Sequence, residues 1–349
     1  MRQGMIQTPP ETSRQETILT VNHVQKYFPI RKGFLARVAG QLRAVDDVSL
    51  AVRAGETLGL VGESGSGKTT LGRCIVRAHR PTAGEILYRT SDNRTVDLAQ
   101  QDKQGLRPYR REIRMMFQDP FSSLNPRMTV LDIVGEPLRI NRVAGGKALE
   151  DRVAQTLERV GLRPEYMRRY PHAFSGGQRQ RIGIARAIVL DPRIVIADEA
   201  VSALDVSVRA QILKLMQTLQ RDLNLTYLFI SHDLSVVEYV ADRVAVMYVG
   251  KLVEVAETAA LYHHPLHPYT EALISSVPKP DPAQHSRRIV LQGEIPDPAN
   301  PPSGCYFHPR CPYAQPQCAA ETPALREVEP GRFAACHFAE TLNLRGVTA

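Results

Sequence analysis

Residues 62–70 read Gly-Glu-Ser-Gly-Ser-Gly-Lys-Thr-Thr, a match to G-x-x-x-x-G-K-[ST], and nothing else in the chain narrows its possible folds as far. The motif carries meaning only between a strand and a helix. Both flanks qualify: Thr57–Val61 is a short apolar run, and a helical pattern runs from Lys68 to Arg77. Gly62, Gly65 and Gly67 let the backbone wrap an anion, and the unpaired N–H groups at the helix start point at it. With Glu63, Ser64, Ser66 and Thr70 they form the expected cradle for a nucleotide's phosphates. Lys68 is expected to reach the β- and γ-phosphates, and the Thr69 hydroxyl to ligate Mg2+.

Short runs rich in β-branched residues alternate with amphipathic stretches through residues 18–259. Ile113–Phe117, Ile194–Ala197, Tyr227–Ser231 and Arg243–Val249 read as further strands. Lys147–Val160, Gln178–Leu190, Val206–Asp222 and Leu234–Val240 read as helices. This alternation predicts an α/β fold with a largely parallel core sheet, whose ligands lie at the carboxyl ends of the strands. Ile18–Val24 and Ala44–Ala51 predict an added antiparallel layer. No apolar run approaches the roughly 18 residues that a spanning helix needs. The stretch Met1 to Thr17 is polar without an apolar core, so no secretory signal is expected and the cytosol is.

Two more stretches point at nucleotide chemistry. Ile194–Ala197 ends in Asp198-Glu199. Asp198 is placed to hold the Mg2+ shell, and Glu199, one residue past it, to polarise an attacking water. Phe174-Ser175-Gly176-Gly177-Gln178 precedes a helix. Ser175 reads plainly as an N-cap and the glycines as a loop. Alternatively the serine and the Gly176 and Gly177 amides form a second anion-binding helix start. One chain needs only one such start for its own nucleotide, so the second implies a dimer. Each nucleotide would then lie between the loop of one protomer and the Ser-Gly-Gly-Gln of the other.

The ordered set Gly62–Thr69, Gln118, Ser175–Gln178, Asp198-Glu199, Ser202-Ala203-Leu204-Asp205 and His232 resembles the nucleotide-binding subunit of an ABC transporter across roughly residues 18–260. The resemblance implies a P-loop NTPase of the ABC type: a parallel core sheet with helices, an antiparallel β layer and a helical signature subdomain. It implies that Gln118 contacts Mg2+ and water and senses the membrane subunit. It also implies that Asp205 reaches across the dimer and His232 contacts the γ-phosphate. Phe28, beside Tyr27, fits an aromatic that stacks on adenine, or else an edge-strand core residue. Ala200 departs from the pattern, since a proline usually follows the catalytic glutamate.

Composition changes near residue 260. Residues 260–349 hold 14 of the 25 prolines and four of the five cysteines. The expected partition is a loose tail at 1–17, a nucleotide-binding domain at 18–259 and a small irregular Cys/Pro-rich domain at 260–349. Gln118 to Arg127, His264 to Thr270 and Gly304 to Pro312 together resemble the ATPase subunits of bacterial dipeptide/oligopeptide importers, a group that includes nickel importers. Lys32-Gly33 and Pro171 to Phe174 resemble the second of the two paired ATPases. This implies a heterodimer with a homologous ATPase, two transmembrane permease subunits, an external substrate-binding protein, and a peripheral place on the cytoplasmic face of the inner membrane.

Cys305, Cys311, Cys318 and Cys336 are spaced C-x5-C-x6-C-x17-C. Disulfides do not suit a reducing cytosol. Structural zinc usually shows tight C-x2-4-C pairs, which are absent here. Four widely spaced thiolates accommodate a [4Fe–4S] cube at least as well, and the family resemblance supports it; free thiols are the third option. Cys74 reads as an inert buried residue. The net charge of +8 leaves a soluble ABC ATPase acting on nucleic acid as a rival, although no second nucleotide domain or coiled-coil insertion accompanies it, and a nucleic-acid partner is not expected. Glu199 argues against a non-hydrolysing regulatory subunit.

Overall fold

A computed structural model of the chain describes residues 16–32, 37–116, 124–277 and 289–347. Among these the strands are, in chain order, β1 (Thr17–Lys32), β2 (Arg37–Arg53), β3 (Thr57–Val61), β4 (Ala83–Arg89), β5 (Thr95–Asp97), β6 (Ile113–Met116), β7 (Ile194–Asp198), β8 (Thr226–Ile230), β9 (Arg243–Tyr248), β10 (Lys251–Glu257), β11 (Arg326–Glu329) and β12 (Arg332–Ala334). They form two sheets. One is antiparallel, in the order β2-β1-β4-β5. The other runs β11-β12-β10-β9-β3-β8-β7-β6, parallel from β9 to β6 and antiparallel beyond β9.

The central strands are buried on both faces, which is why they read as unbroken apolar runs. Every residue of β3, β7, β8 and β9 is buried. Alternate residues serve different layers. Leu58, Leu60, Ile194, Ile196, Leu228 and Ile230 pack with Val21, Val48 and Ile86 of the antiparallel sheet and with Leu71 and Ile75 of the helix Lys68–Ile75. Val195, Tyr227, Phe229 and Val246 pack on the other side with Ile184, Ile212 and Val237 from three helices. Burial contributes about 1.5–3 kcal/mol for each such side chain, so the sheet fixes the strand ends firmly. Leu60 and Asp198 both pair with Ile230, so the carboxyl ends of β3, β7 and β8 lie level with one another.

The helices Val130–Ile140, Gly146–Arg159 and Gly176–Ile188 form the expected helical part, burying Val134, Leu138, Val153, Leu157 and Ile188 against one another. The expected limits move by a residue or two. The Ser-Gly-Gly-Gln helix opens at Gly176 rather than Gln178, because Ser175 caps it. β8 spans Thr226–Ile230 rather than Tyr227–Ser231. β1 and β2 form a hairpin much longer than the two short runs suggested, with register shifts that bend it.

The change of composition near residue 260 does not coincide with a break between elements, since it falls inside the helix Thr258–His263. The proline-rich part contributes a helix, Pro268–Ser275, that begins on proline, where the missing N–H costs nothing. Its strands β11 and β12 sit at the outer edge of the large sheet, with β12 paired to β10. Phe307 is 1% exposed and belongs to the main core. Among the described residues no helix is long and apolar enough to cross a membrane.

Candidate nucleotide site

The loop after β3 is held open by glycines that nothing else replaces. Gly62 has φ +148° and Gly67 φ +102°, values disfavoured for any residue with a Cβ. A Cβ on Gly62 would stand 2.1 Å from the Met247 carbonyl oxygen, and one on Gly67 2.0 Å from that of Ala44. Lys68 is 5% exposed. Its ammonium donates to the carbonyls of Gly62 (2.7 Å) and Glu63 (2.8 Å) and to Ser66 Oγ (3.1 Å).

Burial pulls the Lys68 ammonium down to about 8, against the opposing pull of Glu199, Asp198 and Glu63. An anion placed on it favours the charged form. At pH 9 the free protein therefore holds Lys68 largely neutral, and phosphate binding returns its proton. Nucleotide binding is expected to take up protons at pH 9 and almost none at pH 7, with affinity falling as pH rises past about 8. Titration calorimetry in two buffers of different ionisation heat measures this; equal heats at pH 9 contradict it.

Thr69 Oγ1 donates to Asp198 Oδ1 at 2.8 Å, so two of the three expected Mg2+ ligands already touch. Burial raises the Asp198 carboxyl above its ordinary range, while the Thr69 hydroxyl and Arg73 oppose the rise. A bound cation would favour the ionised form of this carboxyl. Glu199 follows with φ +48°, its N–H bonded to the Ile230 carbonyl at 2.9 Å. That left-handed residue turns the chain off β7. His232 Nδ1 lies 3.2 Å from Glu199 Oε1, the histidine 56% and the glutamate 17% exposed. Ala200 is 2% exposed. The turn it occupies is closed instead by Ser202, whose N–H and hydroxyl both donate to the Glu199 carbonyl at 3.2 and 3.0 Å. Hydrogen bonds thus do what the usual proline's fixed φ would do.

A cleft of about 400 Å3 opens beside these groups, with Phe28, Lys68, Thr69, Glu199 and Pro298 in its walls. Phe28 is a half-buried wall of this cleft, edge-on to His79 at 5.5 Å. Ser175 is exposed and stands apart from this cleft's lining. The plain reading is satisfied: Gln178 N–H bonds Ser175 Oγ at 3.4 Å, and Ser175 N–H bonds Gln178 Oε1 at 3.1 Å. This capping box uses the hydroxyl only as an acceptor, leaving its O–H for an anion. Gly176 and Gly177 belong to the first turn, whose amides have no partner within the helix. Asp205 caps the next helix, accepting from Val208 N–H at 3.0 Å. Gln118 and Gly33 lie outside the described residues.

Cys305, Cys311, Cys318 and Cys336 line one cavity. Burial, with the neighbouring thiols adding to it, pushes Cys311 up to about 12 and Cys336 to about 11. Deprotonating the set therefore calls for a positive centre among them. Among the described residues no group of three or more His, Cys, Asp or Glu is placed to hold a metal ion. Cys74 is fully buried, with burial raising its thiol to about 11, as an inert residue should be.

Sequence reasoning missed how the C-terminal part reaches this site. Tyr269 Oη accepts the Glu63 N–H at 2.8 Å, and Arg310 pairs with the Glu63 carboxylate at 2.8 Å. Tyr27 and Tyr306 both donate to Asp46, at 2.5 and 2.7 Å. The three that involve the C-terminal part join residues 206, 247 and 260 positions apart, and no local pattern encodes such distances. The His264 to Thr270 and Gly304 to Pro312 stretches were the only signal, as family markers.

Residues 45–202 match the ABC transporter family, and residues 253–318 match the oligopeptide/dipeptide transporter C-terminal region. The oligopeptide transport ATP-binding protein AppF of Bacillus subtilis is 52% identical over 93% of this chain and 98% of its own length. The putative oligopeptide transport ATP-binding protein YkfD of the same organism is 49% identical over 93% and 96%. Among solved structures, cbiO1 of Clostridium perfringens, part of the ABC transporter complex cbiONQ, superimposes with a TM-score of 0.59 at 25% identity, over 71% of this chain and 91% of its own. The ATP-binding cassette MJ0796, solved as a dimer in a post-hydrolysis state bound to ADP and Pi, gives 0.59 at 27%, over 69% and 99%.

Proposed function

Since the chain belongs to the ABC transporter family of ATP-binding proteins, we propose that it is the ATP-hydrolysing subunit of a bacterial peptide importer, peripheral to the cytoplasmic face of the inner membrane. The observation that carries this reading is that Lys68, Thr69 and Glu199 line one cleft, with Asp198 bonded to Thr69 and His232 beside Glu199. The match of residues 253–318 to an oligopeptide/dipeptide transporter region supports peptides over nickel as cargo and over nucleic acid as partner. In this reading residues 18–259 bind nucleotide and 260–349 form an appended unit.

Lys68 and the glycine-loop amides hold the phosphates, Phe28 faces the base, and Thr69, Asp198 and Gln118 would hold Mg2+. When bound, Mg2+ would supply positive charge that offsets the negative charge developing on the phosphates. Glu199 accepts hydrogen from the attacking water, and His232 holds that carboxylate and contacts the γ-phosphate. Ser175 is exposed and absent from the lining of its own loop's cleft, which supports a sandwich in which a second, homologous ATPase supplies the opposing Ser-Gly-Gly-Gln. ATP then bridges two subunits; its hydrolysis removes the bridging charge and lets them part, moving the two membrane subunits that receive cargo from an external binding protein.

For the four cysteines the reading is a [4Fe–4S] cluster, supported by their shared place in the wall of one cavity, which His267, His308 and His337 also line. Cys305, Cys311, Cys318 and Cys336 would hold it, and its bonds would cross-link a segment poor in regular structure. One purification tests the proposal. Anaerobic isolation from detergent-solubilised membranes is expected to bring down two permeases and a second ATPase. The protein should absorb near ~400 nm, and a Cys311→Ser variant should not. Recovery without membrane partners contradicts the importer, and colourless, iron-free anaerobic protein contradicts the cluster.

A further inference from the structure

Glu63 is the first variable position of the phosphate loop, and each polar group it carries is tied down. Its carbonyl accepts from Lys68 Nζ at 2.8 Å and its N–H donates to Tyr269 Oη at 2.8 Å. Its carboxylate takes both arms of Arg310, at 2.8 and 3.2 Å. Two of these three anchors come from the C-terminal part. Arg310 ends the short turn His308–Arg310, directly before Cys311 and five residues after Cys305. Its guanidinium also donates to Tyr248 Oη at 3.3 Å, and its side chain is only 7% exposed. Phe307, on the same turn, packs against Tyr248 at 5.2 Å and Tyr269 at 5.4 Å. The four-cysteine segment is thus packed rigidly onto the loop that must face the phosphates.

We propose that Arg310 and Tyr269 are positioning residues for nucleotide binding: they orient and neutralise Glu63, so that the four-cysteine segment sets the affinity of the phosphate loop. Two physical effects act together. The bidentate fork and the tyrosine hydroxyl fix the peptide groups on either side of Glu63, and with them the carbonyl that steadies Lys68. The guanidinium also cancels a carboxylate that would otherwise stand beside a polyanion. Removing Arg310 alone leaves an unpaired negative charge near enough to act on Lys68, and it repels the phosphates that Lys68 is to hold.

The inference rests on the phosphate loop binding ATP, so the experiment tests both separately. ATP displaces a fluorescent nucleotide from the full chain, with Lys68→Ala as the variant that loses binding. If the native chain does not bind ATP, the ATP reading fails. If it does, Arg310→Gln is expected to weaken ATP about tenfold, and adding Glu63→Gln to that variant to recover most of the loss. Recovery is what a merely structural contact would not give, since the second change removes another native side chain. Tyr269→Phe keeps the buried ring, leaves the Glu63 N–H without its acceptor, and is expected to weaken ATP several-fold. Should Arg310→Gln unfold the chain, Arg310→Lys retains the charge without the fork and is expected to fall between. Affinity within about twofold of native for Arg310→Gln and Tyr269→Phe, or no recovery on adding Glu63→Gln, overturns the proposal.

Discussion

Glu199→Gln is expected to lower ATP turnover in the assembled transporter by about 10²–10⁴-fold, the usual worth of a positioned general base. The loss should fall on kcat with KM little changed. The substitution keeps shape and volume, and the amide oxygen can still accept from His232, 3.2 Å away. What it removes is the capacity to take up a proton. The side chain is 17% exposed and sits on a residue whose φ of +48° is held by the bond from its N–H to Ile230, so the carboxylate has little freedom to move elsewhere. A second expected sign is that ATP-bound subunits stay associated, because the bridging charge persists. Steady-state phosphate release measures the first and sizing in the presence of ATP the second. Normal turnover would remove Glu199 from the chemistry and return the non-hydrolysing regulatory subunit to favour.

How much of this site was legible in the sequence depends on how far each contact reaches along the chain. The glycine loop, the Asp198-Glu199 pair and the cap at Ser175 are local devices, in which residue type and spacing carry the chemistry. The parallel core was legible for a related reason: strands buried on both faces leave uninterrupted apolar runs, and β7 and β9 have them. The lengths of β1 and β2 were not, because their bends fall at register shifts between two strands rather than within either. The composition break near residue 260 reflects proline content, whereas pairing follows the backbone, and β12 joins β10 across it. The Glu63–Arg310 pair lay beyond reach altogether. The sequence sets Glu63 in the phosphate loop and Arg310 in the Gly304 to Pro312 stretch, and only the fold brings them to 2.8 Å with the arginine 7% exposed.

Gly67→Ala should abolish nucleotide binding and destabilise the chain by roughly 3–5 kcal/mol, at the upper end of what single substitutions do. The position lies at the N-cap of the helix that carries Lys68, with φ +102° and ψ −1°. A Cβ there would approach the Ala44 carbonyl oxygen to 2.0 Å and its carbon to 3.2 Å. Those atoms belong to the backbone of β2, so no rotamer change relieves the clash. Either β2 retreats from the helix start, or the loop leaves its conformation. In both cases the amides at the helix start turn away from the phosphates. Gly65→Ala separates this clash from backbone strain alone. Its φ is +79°, yet a Cβ there meets nothing within 4 Å, so its cost is limited to about 1–2 kcal/mol and binding should survive in weakened form. Denaturant unfolding and nucleotide titration of the two variants give the ranking. If Gly67→Ala were as stable and as tight-binding as Gly65→Ala, close contact between β2 and the loop would not be what shapes this site.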